Sequence, residues 1–198
     1  MRGDEGLMTK FAAVFLDRDG TINEEVGYLD SLDKLQILPE AFEAVRLINQ
    51  AGMKTVVITN QSGIGRGFFD EAFVVRVHEE MRRLFLKEGA LIDGFYYCPH
   101  HPTEGIGLYR QACSCRKPEP GLLLNAAEDL VIDIGKSYMI GDTPKDVEAG
   151  QRAGAKGILV QTGYGKVADM GSTHPDYIAQ DVLEAVKWIM RDRKKNNT

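Results

Sequence analysis

Five short apolar runs, rich in β-branched and aromatic residues, alternate with helical patterns along this chain, and that alternation restricts the fold more than any other feature. The runs are Phe11–Asp17, Lys54–Asn60, Gly94–Cys98, Ser137–Asp142 and Lys156–Gln161. Between them, Phe42, Val45 and Ile48 share one face of Pro39–Ala51, and Phe73, Val77, Met81, Leu84 and Phe85 share one face of Asp70–Lys87. Helices also fit Pro120–Val131, Pro144–Ala153 and Val182–Met190, with Pro39, Pro120 and Pro144 where a first helical turn tolerates proline. Strands that alternate with helices run parallel, with crossovers packed on both faces of the sheet. The expected fold is therefore α/β, a doubly wound (Rossmann-like) parallel sheet.

A chain of 198 residues forms one domain of ordinary size. The expected division is a polar leader over 1–9, a single domain over 10–190 and a charged, frayed tail over 191–198, with Met8 as an alternative start. The Thr21–Leu38 and Asn60–Asp70 connections are too short to hold a separate cap domain. A formal net charge of −5 disfavours nucleic-acid and anionic-membrane partners but not a small anion met by a local cluster of cations. No apolar run reaches the roughly 18 residues of a membrane span, and the N-terminus lacks the apolar core of a signal peptide. A cytoplasmic protein that works as a monomer is expected.

In a doubly wound sheet, ligands bind beyond the carboxyl ends of the strands, and the polar residues concentrate there. Asp17-Arg18-Asp19-Gly20-Thr21 follows the first run, Thr59-Asn60-Gln61-Ser62-Gly63 the second and Gly141-Asp142-Thr143-Pro144-Lys145-Asp146 the fourth; Cys115-Arg116-Lys117-Pro118 precedes a helix on the same side. An ionised carboxylate at Asp17 can attack phosphorus and form a covalent intermediate. A second carboxyl at Asp19 can protonate the leaving oxygen and then deprotonate water. Magnesium suits a few carboxylate oxygens, and Asp17, Asp19 and Asp142 are the expected ligands. The Thr59 hydroxyl, the N–H groups of the Asn60–Gly63 turn and the Lys117 ammonium suit a transferring phosphoryl group. Singly, each element reads as a turn or helix cap; four of them in order at strand ends argue for a site.

The three cysteines, an odd number, cannot complete a disulfide framework, and all fall between Cys98 and Cys115. Cys98-x-His100 and Cys113-x-Cys115 offer three thiolates and one imidazole, a tetrahedral zinc set with no open position and so a structural one. His101 is the competing ligand, expected at the surface instead. A metal in this loop would fix Cys115, and with it Arg116 and Lys117, at the rim of the site. Iron in place of zinc stays open.

The whole set resembles the haloacid dehalogenase superfamily of phosphatases: DRDGT matches its first motif, TNQ its second, the RKP lysine its third and GDTPKD its fourth. The resemblance spans about Phe11 to Gln161. It implies Asp17 as nucleophile, Asp19 as acid/base, Thr59 and Lys117 as phosphoryl stabilisers, Asp142 as magnesium ligand and Asp146 as a supporting carboxylate. The CxH…CxC loop running into CRKP looks like the heptose 1,7-bisphosphate phosphatases and their histidinol-phosphate relatives. GYL at 27–29, TNQSGIGRG at 59–67 and YYCPHHP at 96–102 favour the heptose branch. One departure is Thr143, where a lysine is expected. The resemblance implies a phosphorylated-sugar substrate, hydrolysis at C7 and a place in heptose supply for lipopolysaccharide. Without a cap, the walls must be loops: Glu25, Val26, Gly27 and Tyr28, with Asn60, Gln61 and Ser62, while Arg66 and Arg116 hold a second phosphate. Two readings of other classes are a phospho-accepting receiver domain, which would lack the acid two residues on, and a zinc-ribbon nucleic-acid binder, which the acidic charge disfavours.

Overall fold

The computed structural model describes residues 10–196. The leader expected over 1–9 lies outside the described residues, as do the last two of the tail. Among the described residues, six strands form one parallel sheet: β1 (Ala13–Leu16), β2 (Lys54–Asn60), β3 (Gly94–Cys98), β4 (Tyr138–Gly141), β5 (Lys156–Val160) and β6 (Tyr177–Ala179). Their order is β3-β2-β1-β4-β5-β6. The chain builds outward from β1 to β3, then returns to β4 on the other side of β1. The topological switch lies between β1 and β4, where such sheets open a crevice for ligands. Asp17 follows β1 directly and Asp142 follows β4, so the sheet order alone brings the two carboxylates together.

The helices are α1 (Pro39–Gln50), α2 (Ser62–Gly65), α3 (Glu71–Lys87), α4 (Gly121–Asp129), α5 (Pro144–Ala153) and α6 (Val182–Asn196). Every side chain of β1 is fully buried, as a central strand covered on both faces requires. Alternation splits the core in two. Val14 and Leu16 pack with Val45, Val77, Met81 and Val186 of α1, α3 and α6. Ala13 and Phe15 pack with Leu123 and Ala149 of α4 and α5. The starts of α1, α3 and α5 have a local cause. Pro39 and Pro144 occupy the first turns of α1 and α5, Asp70 caps α3 by accepting from Phe73 N at 2.7 Å, and Thr143 and Asp146 close a capping box on α5.

The structure departs from the sequence expectations at several edges. β1 is shorter than Phe11–Asp17, and Phe11 joins only an isolated bridge to Ile132. Pro120 caps α4 instead of opening it. β6 and the one-turn α2 are additional. The helix expected to stop at Met190 continues to Asn196, so the segment taken for a frayed tail is helical there. Its basic end (Arg193, Lys194, Lys195) opposes the C-terminal end of the helix dipole, and Asp192 accepts from Lys156 at 2.6 Å and from Tyr138 at 2.8 Å. Among the described residues no helix is long and apolar enough to cross a membrane.

Candidate active site

A cleft of about 320 Å³ opens beyond the carboxyl ends of the strands and gathers the residues that follow β1, β2 and β4 with Arg116 and Lys117. Asp17, Asp142 and Asp146 each bring a carboxylate oxygen to within 4.8 Å of one another. Lys117 lies fully buried among them, with its Nζ donating to Asp17 Oδ1 at 2.7 Å, Asp146 Oδ1 at 2.6 Å and the Ile58 carbonyl at 2.8 Å. Its three N–H groups are thereby all used. Burial pulls its pKa down, but Asp146 and Asp17 outweigh that and hold it raised.

The hydrogen bonds of each carboxylate decide which oxygen remains free. Asp17 Oδ1 also accepts from Arg18 N at 2.7 Å. Its Oδ2 has no hydrogen-bond partner among the described residues and is the atom available for attack. Asp142 Oδ2 accepts from Tyr164 N at 2.7 Å, and its other oxygen has no hydrogen-bond partner among the described residues. Asp146 is fully engaged, since its Oδ2 takes Thr143 Oγ1 at 2.6 Å and Thr143 N at 3.0 Å while Oδ1 holds Lys117. Thr143, the position of the missing lysine, thus uses its hydroxyl to cap α5.

Three carboxylates share one resident lysine, and the carboxyl groups titrate accordingly. Burial first and then Asp146 raise Asp17 well above the ordinary carboxylate value. The same two causes push Asp142 up to about 7. Such a set is short of positive charge and offers hard oxygen atoms, which fits a magnesium ion held by Asp17 and Asp142.

Asp19 stands apart from these three. Of the expected magnesium ligands, Asp17 and Asp142 are the two that bring a carboxylate to the cluster, because both carboxylate oxygens of Asp19 accept from protein donors. Oδ1 accepts from Arg18 Nε at 3.2 Å and Asn23 Nδ2 at 2.9 Å, and Oδ2 from Arg18 Nη2 at 2.8 Å and Gln61 Nε2 at 3.1 Å. Burial alone would raise its pKa, but Arg18 and the remaining donors lower it below the ordinary value. Gln61 also donates to Thr59 Oγ1 at 2.9 Å, which leaves the Thr59 hydroxyl hydrogen free to point elsewhere. Asn60 lines the cleft, but its amide is committed: it donates to the Lys117 carbonyl and accepts from Lys117 N, both at 3.1 Å. It positions Lys117.

Glu25, Gly27, Tyr28, Ser62 and Arg116 line the cleft as expected. Val26 does not line it and is 42% exposed. Arg66 is also absent from the lining. Its guanidinium pairs with Glu104, lies 3.2 Å from His101 Nε2 and packs on the Tyr28 ring, so the anion it serves belongs to the protein. Sequence reasoning missed Arg18, Lys145, Phe69 and Tyr164 as lining residues. Arg18 and Lys145 stand inside the quoted motifs, which was the available signal; nothing local marked Phe69 or Tyr164.

Behind the cleft, Cys98, His100, Cys113 and Cys115 form a second cluster. Cys115 Sγ lies 3.0 Å from Cys98 Sγ, 3.3 Å from Cys113 Sγ and 3.4 Å from His100 Nδ1. A tetrahedron with zinc–sulfur bonds of ~2.3 Å spaces its ligand atoms by ~3.8 Å, so the set is slightly contracted and otherwise fits zinc. Hydrogen bonding from Cys98, ahead of the other causes, lowers Cys115 to about 5, while Cys98 is raised. His101 takes no part; its Nδ1 accepts from Glu104 N at 2.9 Å. The loop has supports beyond this cluster. Tyr109 and Tyr97 both donate to Glu71 of α3, at 2.6 and 2.7 Å, and Ile106 N donates to the Gly65 carbonyl at 2.7 Å.

Comparison with known proteins agrees with this site. The family model described as HAD-hydrolase-like matches residues 114–185. The D-glycero-beta-D-manno-heptose-1,7-bisphosphate 7-phosphatase of Pasteurella multocida is 42% identical over 89% of this chain and 96% of its own length. The enzyme of the same name from Escherichia coli K12 is 45% identical, over 92% of this chain and 95% of its own. Among solved structures, the D,D-heptose 1,7-bisphosphate phosphatase from B. bronchiseptica, complexed with magnesium and phosphate, superposes with a TM-score of 0.81 at 31% identity, over 92% of this chain and 99% of that one. With strand ends, carboxylates and Cys/His loop accounted for, the chain belongs to the haloacid dehalogenase-like hydrolases, in the family that contains the heptose-bisphosphate phosphatases.

Proposed function

We propose that this protein hydrolyses the C7 phosphate of D-glycero-D-manno-heptose 1,7-bisphosphate through an aspartyl-phosphate at Asp17. The observation that carries the chemistry is the division of labour between two carboxyls two residues apart. Asp17 keeps one oxygen free beside Lys117, while Asp19 is held apart by Arg18, Asn23 and Gln61. Asp17 Oδ2 attacks phosphorus; the bond to the sugar oxygen breaks, and that oxygen takes a proton from Asp19, which enters this step protonated in the substrate complex although Arg18 favours its ionised form in the free protein. Water then attacks the aspartyl-phosphate, Asp19 accepts its proton, and the P–O bond to Asp17 breaks to release inorganic phosphate. Lys117 and the Thr59 hydroxyl balance the charge that spreads over the phosphoryl oxygens.

Magnesium bound by Asp17 and Asp142 would supply charge neutralisation for the attack on a phosphate dianion. Zinc held by Cys98, His100, Cys113 and Cys115 would be structural. Arg116 donates to the His100 carbonyl at 3.1 Å, so the loop that carries the thiols also aims a guanidinium at the cleft. Support for the substrate comes from the named relatives and from this cation, which suits a second phosphate and has no counterpart need in histidinol phosphate. The test compares wild-type protein with Arg116→Ala on heptose bisphosphate, histidinol phosphate and an aryl phosphate at one ionic strength. Catalytic efficiency on the bisphosphate should fall about 10- to 100-fold more than on the aryl ester. Better wild-type turnover of histidinol phosphate than of the bisphosphate would overturn the substrate and leave the phosphohydrolase.

A further inference from the structure

Four cations line the cleft, and their partners differ. Arg18 is 1% exposed, with Nε and Nη2 both on Asp19. Lys117 has no donor left. Arg116 gives Nη1 to the His100 carbonyl and keeps its other N–H groups. Lys145 is exposed in the first turn of α5 and has no hydrogen-bond or ion-pair partner among the described residues. An ammonium at the mouth of the cleft with no partner among the described residues holds no part of the fold together.

Lys145 and Arg116 both line the same cleft of about 320 Å³. Arg66, outside that lining, is neutralised by Glu104. Two cations without a carboxylate partner among the described residues therefore remain on the lining, Arg116 from the thiol loop and Lys145 from the first turn of α5. Thr143 cannot share their task, because its hydroxyl is bound to Asp146. Their shared field suits a dianion more than a single carboxylate or a neutral hydroxyl.

We infer that Lys145 is a specificity-determining residue which, with Arg116, holds the non-reacting phosphate of a sugar bisphosphate. This rests on the substrate class proposed above. Lys145→Gln should lower kcat/KM on heptose 1,7-bisphosphate by about 10- to 100-fold, mainly through KM, and by at least tenfold more than on an aryl phosphate. Lys145→Arg should recover most of the loss. Lys87→Gln, an exposed lysine outside the cleft, removes the same charge and should change neither ester. In the double variant with Arg116→Ala, the two losses on the bisphosphate should not add, since both side chains hold one group. Equal losses on both esters, no loss on either, or strict additivity would overturn the role of Lys145 while leaving the substrate intact. A wild-type preference for histidinol phosphate would overturn the substrate class, and this inference with it.

Discussion

The carboxylate cluster and the thiol cluster lie at the two ends of one short segment, yet they are built on opposite plans. Around Asp17, Asp142 and Asp146, a resident lysine already occupies the space between two of the three carboxylates, and free oxygens face a cleft. Around Cys98, Cys113, Cys115 and His100, each side chain contributes one ligand atom, and the four atoms gather within 4.8 Å of one another. The first arrangement leaves coordination positions for water and substrate; the second leaves none. Hard oxygen ligands with a built-in counter-charge suit an ion that comes and goes, and a closed sulfur set suits one that stays. The two are joined through Cys115, Arg116 and Lys117, three consecutive residues that run from the closed site into the open one.

The largest expected effect tests the open site. Asp17→Asn keeps the shape and removes the nucleophile, so turnover should fall by at least about three orders of magnitude with an unchanged circular dichroism spectrum. Near-normal turnover would remove the covalent step and, with it, the contrast between a reactive and a structural cluster. An intermediate effect tests the closed site. Wild-type protein should hold about one zinc per chain, and Cys113→Ser should lose it, melt lower and turn over about tenfold more slowly through Arg116 and Lys117. Added magnesium should not restore the rate. Carefully prepared protein free of both zinc and iron would sink the claim. The smallest effect sharpens the boundary between metal and protein support of the loop. Tyr109→Phe removes one hydrogen bond to Glu71, worth about 1 kcal/mol, and should lower Tm by roughly 2–4 °C with metal content intact. Metal loss as complete as in Cys113→Ser would mean that the loop has one support and not two.

What could be read from the sequence follows from the range of the forces involved. Of the five longer strands, β1, β2, β4 and β5 show because each carries a run of consecutive apolar residues buried on both faces, and the edge strand β3 shows by its half-buried aromatic residues Phe95, Tyr96 and Tyr97. β6 is three residues, Tyr177–Ala179, with one half-exposed side chain and a segment rich in serine, threonine and proline before it, so no periodicity marks it. The reach of α6 past Met190 was hidden because Asp192 is stabilised by Lys156 and Tyr138, far away in the chain. In the site, the aspartates and Lys117 were legible because their chemistry lies in motifs at strand ends. Arg18 was read past: a fully buried arginine is visible only once Asp19 is seen to fold back on it. The partner of Arg66 was hidden for the same reason, since Glu104 reaches it across a loop. Local chemistry could be inferred, but the pairing of charges across the fold could not.

Asp142 sits in a slot between two stretches of main chain. A Cβ at Gly20, whose φ is +77°, would lie 2.2 Å from Asp142 Oδ2, and one at Gly163, whose φ is +48°, would lie at the same distance. Both positions are closed to side chains by conformation as well as by space. For anyone who would retrain this scaffold on a new ester, that divides the cleft into two kinds of position. Random libraries should freeze 20 and 163 as glycine and spend their diversity on Glu25, Tyr28, Arg116 and Lys145, whose side chains face the cleft rather than the slot. Clones altered at either glycine should be recovered as folded proteins with a misplaced carboxylate, and no choice of substrate would rescue them.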